Sequence, residues 1–136
     1  LNVSHKNKLM KKIILFIALA FILILIGYTY VYKADRNISE EQPKFKIASA
    51  LLKQELNANQ VNVINKYLNE TVEISGLATQ IEMNTIILDN FVSARLDTLH
   101  TSINIGDALI VKGRVIGYDE LLEELKLDQC TVAIKQ

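Results

Sequence analysis

The residues able to do chemistry are few, and the first constellation lies in one loop. Asp97, His100 and Ser102 fall within six residues and supply the side-chain types of a hydrolytic triad, in which an imidazole takes the serine proton and a carboxylate orients the ring. A triad is defined by its three-dimensional geometry, however, and three polar side chains in one loop read more simply as solvated polarity. His5 is separated from His100 by a long apolar run, so the two do not share a metal. Cys130 is the single cysteine and lacks the His and Cys partners of a zinc site. Asp119, Glu120, Glu123 and Glu124 offer hard oxygen donors, but without the alternate-residue ligands and turn glycine of a calcium loop. Gly113-x-x-x-Gly117 falls inside a strand pattern and not ahead of a helix, where a phosphate cradle needs it. The expectation is a protein that is not an enzyme, with no catalytic residue, no metal ligand and no cofactor.

Binding residues are the remaining chemistry. Phe91, Arg95, Lys112 and Arg114 are the aromatic and basic side chains that strand-like segments turn outward, and they form the candidate ligand face. On a small barrel such residues can track phosphates and stack bases, which makes a single-stranded nucleic acid the alternative ligand. One aromatic is too few for a stacking platform, and net negative charge repels the phosphates that supply most non-specific affinity. These features argue against nucleic acid and leave an envelope protein, a peptide or a glycan as the expected partner. Oligomeric state is not written in the pattern.

The chain has 136 residues, half of them hydrophobic, with 15 basic and 15 acidic side chains. Disorder is excluded, because it requires low hydrophobicity and high net charge, and a disulfide scaffold is excluded by the lone cysteine. The charge is uneven. Before residue 33 the charged side chains are Lys6, Lys8, Lys11 and Lys12, which leaves 11 basic and 15 acidic residues in the remainder.

Residues 1–12 form a short basic segment, and residues 13–32 run 20 positions without a charge, beginning with 14 consecutive apolar residues. A helix of that length rises about 30 Å, the thickness of a bilayer's hydrocarbon core. Tyr28, Tyr30 and Tyr32 gather at one end and Lys11 and Lys12 flank the other, as interfacial anchors do. The expectation is a transmembrane signal anchor over 13–32; a cleaved secretory signal is the competing reading, weakened by a poor small-x-small site after the core. Basic residues before the helix carry no interspersed acids, and a domain of this size translocates largely regardless of charge. The chain is therefore expected in the inner membrane, crossing once, with its C-terminal domain outside the cytoplasm.

Residues 33–43 are polar, end in the only proline and read as a tether. The remainder, 44–136, is expected to be one domain. Phe45, Ile47, Ala48, Leu51, Leu52 and Leu56 recur at helical spacing, and Asn59 is placed to cap a second helix in which Val61, Ile64, Tyr67 and Leu68 share a face. A helical hairpin therefore leads the domain. Beyond Asn69 the period drops to two. Val72 and Ile74 alternate inward, and a move of the apolar positions to Leu77 and Ile81 predicts a bulge at Gly76. Thr85–Leu88 is a second strand, and Val92, Ala94 and Leu96 point inward from a third. Leu109, Val111 and Val115 point inward from a fourth, and Cys130, Val132 and Ile134 from a fifth. An acidic turn separates the last two. Five short strands with glycines at their bends predict a mainly β protein, a five-stranded OB-fold barrel; an open sheet packed on the hairpin is second.

The pattern Asn59-Gln60-x-x-Val63-x-x-Lys66-Tyr67, followed by Val72-x-Ile74-x-Gly76, resembles the opening of the tRNA-anticodon-like OB-fold family of uncharacterised bacterial proteins. Gly106-Asp107-x-x-Ile110-Val111-x-Gly113, Gly117 and Leu127-x-x-Cys130 resemble its second half. The likeness covers residues 45–134 and implies the barrel together with an N-terminal membrane or lipoprotein segment. It implies no reaction, since the matching positions are glycines, apolar residues and one cysteine. Members often carry further cysteines in the third and fourth strands, where this chain has Ser93 and Val115 with their neighbours.

Overall fold

A computed structural model describes residues 2–31, 36–98 and 102–136. The chain divides into two compact units, Leu1–Arg36 and Asn37–Gln136. The first is a single helix, α1 (Asn2–Val31), that continues the basic segment into the apolar run. The apolar side chains of residues 3–30 are exposed, and Val3–Tyr30 is long and apolar enough to cross a membrane.

The second unit contains β1 (Phe45–Ala48), α2 (Ser49–Ala58), α3 (Gln60–Tyr67), β2 (Thr71–Glu82), β3 (Thr85–Leu88), β4 (Val92–Leu96), β5 (Ala108–Asp119) and β6 (Glu124–Ile134). β2, β3 and β4 form an antiparallel meander. β4 then pairs parallel to β6, β6 antiparallel to β5, and β5 returns antiparallel to β2, closing the barrel. Numbered within the barrel alone, the strands run 1-2-3-5-4 and back to 1. This is the five-stranded OB topology, with β1 added parallel to β2 as a sixth strand.

The inward residues are those that period-two reading selects. Val72 and Ile74, Val92 and Ala94, and Leu109 and Val111 are buried in one continuous core, which Leu52, Leu56, Val63 and Tyr67 of the two helices complete. Asn59 caps α3 as expected, its side chain accepting from the Asn62 N–H.

Several expectations are corrected. Phe45–Ala48 is a strand and not the first turn of a helix. β3 reaches only Ala78 along β2, so the edge at Val72–Ser75 lacks a partner until β1 pairs there, and those tertiary hydrogen bonds outweigh the helical spacing. In α3 the buried positions are Val63 and Tyr67, while Val61 and Leu68 are exposed. Gly76 is not a bulge: Val72, Ile74 and Ala78 stay on one face through it, Leu77 points out, and the register breaks between Ala78 and Gln80. β6 starts at Glu124, earlier than the Cys130 pattern suggests. The register break between Lys112 and Arg114 on β5 sets one extra β6 residue there, and Gln129 adopts a φ of 49°. That break moves the inward phase from Leu125 and Leu127 to Cys130; Val132 is partly buried and Ile134 is exposed.

Residues 37–43, placed in the tether by their polarity, are a strap docked on the barrel. Ile38 is completely buried. The Lys112 ammonium donates to the carbonyls of Ser39 at 2.7 Å and Glu41 at 3.1 Å, and the Thr71 hydroxyl donates to the Glu41 carboxylate at 2.5 Å. Ile38 is the one large apolar side chain of the segment, and a single position gives no periodicity, so its burial was not legible in the pattern.

Candidate functional site

The four predicted ligand-face residues are dispersed. Phe91 follows the β3–β4 turn and is buried, with the Lys53 ammonium 5.7 Å from its ring centroid. Lys112 holds the strap. Arg114 makes a bidentate pair with Asp128, at 2.9 Å from Nε and 2.6 Å from Nη2, each side chain about a quarter exposed. Arg95 alone stays exposed on the meander. The loop constellation falls at its centre, His100, outside the described residues. Among the described residues no group of three or more His, Cys, Asp or Glu side chains is placed to hold a metal ion.

Strand register assembles a different surface. Gln80 of β2 lies opposite Ile87 of β3, Ile87 opposite Ser93 of β4, and Ser93 opposite Lys126 of β6. Four neighbouring strands thus contribute one side chain each to a single row across the outer face. Glu82, Thr85 and Arg95 form the row beside it. The first row floors a groove of about 830 Å³, whereas other clefts on the domain hold about 250–310 Å³. Its size falls in the range of small-molecule and peptide sites.

The β2–β3 turn and the β5–β6 turn flank this groove with Met83 and Leu122. Met83 is 94% exposed at a φ of 47°, a left-handed conformation where asparagine or glycine is ordinarily found. The turn is held firmly: the Asn84 side chain donates to the Leu96 carbonyl at 3.1 Å, and the Leu96 N–H donates to the Asn84 carbonyl at 2.7 Å. In the β5–β6 turn the Asp119 carboxylate accepts from the N–H groups of Leu121 and Leu122, which fixes both leucines outward, Leu121 at 96% exposure. Two rigid hairpin tips thus present large apolar side chains to solvent.

The charge of this region is mixed in the groove and acidic at one tip. Lys126 pairs with Glu124 at 2.5 Å, and Gln80 hydrogen-bonds Glu82. Glu120 accepts from the Gln60 amide at 2.9 Å. Burial first, then the carboxylates of Glu123, Glu120 and Asp119, push the nearby Tyr118 hydroxyl above its ordinary value.

Two further clusters are structural. Phe45 and Tyr67 stack edge to face at 4.8 Å, and the Tyr67 hydroxyl donates to Glu55, joining β1, α2 and α3. The Ser49 hydroxyl, buried at the start of α2, donates to the Asp89 carboxylate, whose other oxygen accepts from the Leu77 N–H at 3.2 Å. Cys130 is buried beside Gly113, and burial pushes its thiol far above the ordinary value, which favours the protonated form.

The groove was missed at the level of sequence because its floor residues are ordinary outward strand positions that only register brings into line. The exposed Met83, Leu121 and Leu122 in turns were the available signal. Compared with protein-family models, curated proteins and solved structures, the chain gives no match.

Proposed function

We propose that this protein is a non-enzymatic binding module held in the inner membrane by α1, with its barrel outside the cytoplasm, and that the groove across β2, β3, β4 and β6 takes a polypeptide segment of an envelope protein. The observation that supports this reading is the row Gln80, Ile87, Ser93 and Lys126 flanked by the fixed apolar tips Met83 and Leu122. The row sets amide, hydroxyl and ammonium groups around one apolar side chain, Ile87, between the two apolar tips, which suits backbone and side chains of an extended peptide. Among the described residues no aromatic ring lines the groove, which counts against stacking of bases or sugar rings, and Glu82 and Glu124 repel phosphate. The length and composition of α1 support anchoring. Membership of the tRNA-anticodon-like OB-fold family is part of the same proposal and rests on the sequence resemblance.

Reporter fusions after Gln136, active only outside or only inside the cell, test the orientation. A photo-crosslinking residue at Gln80 tests the groove against one at Lys44, beside the opposite end of β2. The expected result is an outside signal with adducts from position 80 that position 44 does not give. An inside signal, or equal adducts from both positions, refutes the proposal.

A further inference from the structure

The domain carries a second, partly buried apolar surface, and its charge is opposite to that of the acidic tip. At the open end of the β5–β6 hairpin, Ile47 and Ile110 line a cleft of about 270 Å³ with Lys46 and Lys135 at its rim. Leu77, about half exposed, continues the outward face of Glu73 and Ser75, and Ala133 of β6 lies opposite Ile110. Glu73 lies 3.7 Å from the Lys46 ammonium and offsets that charge, leaving one net positive charge among the lining residues. The hairpin's other end bears Leu121 and Leu122 among Asp119, Glu120, Glu123 and Glu124. β5 pairs with β6 from Leu109 opposite Ile134 to Asp119 opposite Glu124, so the two surfaces stand at opposite ends of one rigid two-stranded element, on the order of 30 Å apart.

We infer that the occupant of the acidic tip is the basic end of a second copy of this chain, joined head to tail. The inference rests on the groove reading above and names the partner that meets its Leu122 side. Isolated leucines at 96% and 60% exposure gain by burial, and the cleft at Ile47 and Ile110 offers apolar walls with lysines placed to meet the carboxylates around them. A tip-to-tip dimer would oppose eight carboxylates, four from each copy. An anionic lipid surface is disfavoured by the same charges. Because the joined surfaces differ, the contact is heterologous and leaves a free tip and a free base on every pair, so assembly continues into a ring or a chain.

The test uses the full chain in its membrane with a short bis-maleimide crosslinker, wild-type Cys130 being buried and serving as the blank. Leu121→Cys combined with Ala133→Cys, opposite Ile110, should give a ladder of dimers, trimers and higher species, while either substitution alone gives none. Lys46→Glu with Lys135→Glu should cut the ladder about tenfold, and Glu120→Lys with Glu123→Lys added in the same chain should restore it. Dimers from Leu121→Cys alone, or no ladder from the double variant, overturn the inference. Capture of a different protein at position 80 with no ladder overturns it as well and leaves the groove reading standing; equal adducts from positions 80 and 44 remove the groove reading itself.

Discussion

Gly76 gives the sharpest test of how the barrel is assembled. A Cβ there would lie 2.5 Å from the Asp89 carboxylate oxygen, 2.9 Å from the Ser49 hydroxyl and 3.2 Å from the Leu88 Cβ. The first two atoms belong to the bond that ties the start of α2 to the β3–β4 turn, so Gly76→Ala must displace it. Ser49 is buried, and a buried hydroxyl that loses its partner costs about 1–3 kcal/mol; overpacking at Leu88 is of similar size. About 2 kcal/mol is expected in total, because both displacements relieve the same clash. With a urea slope of about 1–2 kcal/mol per molar for a domain of this size, the midpoint should fall by about 1–2 M. The assay is built into the chain: Cys130 is the lone thiol and is buried, so pulse labelling across a urea series reports unfolding of the barrel without interference from α1. Asp89→Gly removes the nearest obstacle and accepts the φ of 50° found there. In that background Gly76→Ala should cost less than half as much, a coupling that a double-mutant cycle measures. An unchanged midpoint, or an equal loss in both backgrounds, would refute the clash argument.

Ile38→Ala should cost about 2–4 kcal/mol by the same labelling assay, since the removed side chain is fully buried; a loss below about 0.5 kcal/mol would show that the strap is not part of the folded unit. Stability should also fall with alkaline pH. The folded thiol of Cys130 titrates well above its unfolded value of about 8.5, so above that pH the unfolded state binds fewer protons and stability drops, by up to about 1.4 kcal/mol per pH unit. The difference between wild type and Cys130→Ala in urea unfolding followed by circular dichroism, compared at pH 8 and pH 10, isolates this contribution, and a difference that does not change with pH would contradict the burial of the thiol.

Local chemistry in the sequence carried much of the fold. The uncharged stretch over 13–32 has the length of a bilayer-spanning helix, Asn59 caps α3 by its own side chain, and alternation at Val72, Ile74, Val92, Ala94, Leu109 and Val111 follows from the requirement that one strand face be dry. Those features depend on neighbours a few residues away, and so they are visible without coordinates. The strand status of Phe45–Ala48, by contrast, exists because β3 leaves part of β2 unpaired, a fact about residues more than twenty positions downstream. Gly76 looked like a bend because Leu77 and Ile81 break the pattern; its true cause is Asp89 and Ser49, brought to it from two other elements.

The candidate site divides in the same way. That Met83, Leu121 and Leu122 sit in turns could be read from the chain, and so could the outward direction of Arg95, Lys112 and Arg114. Which of these cations remains exposed was decided by tertiary partners: the strap carbonyls take Lys112, Asp128 takes Arg114, and Arg95 is left in solvent on the meander. Alternation tells which face of a strand a residue occupies, because the side-chain period is a property of the single strand. The lining up of Gln80, Ile87, Ser93 and Lys126 depends on the relative slide of four strands, which turns, bulges and core packing set together, and only the folded barrel contains it.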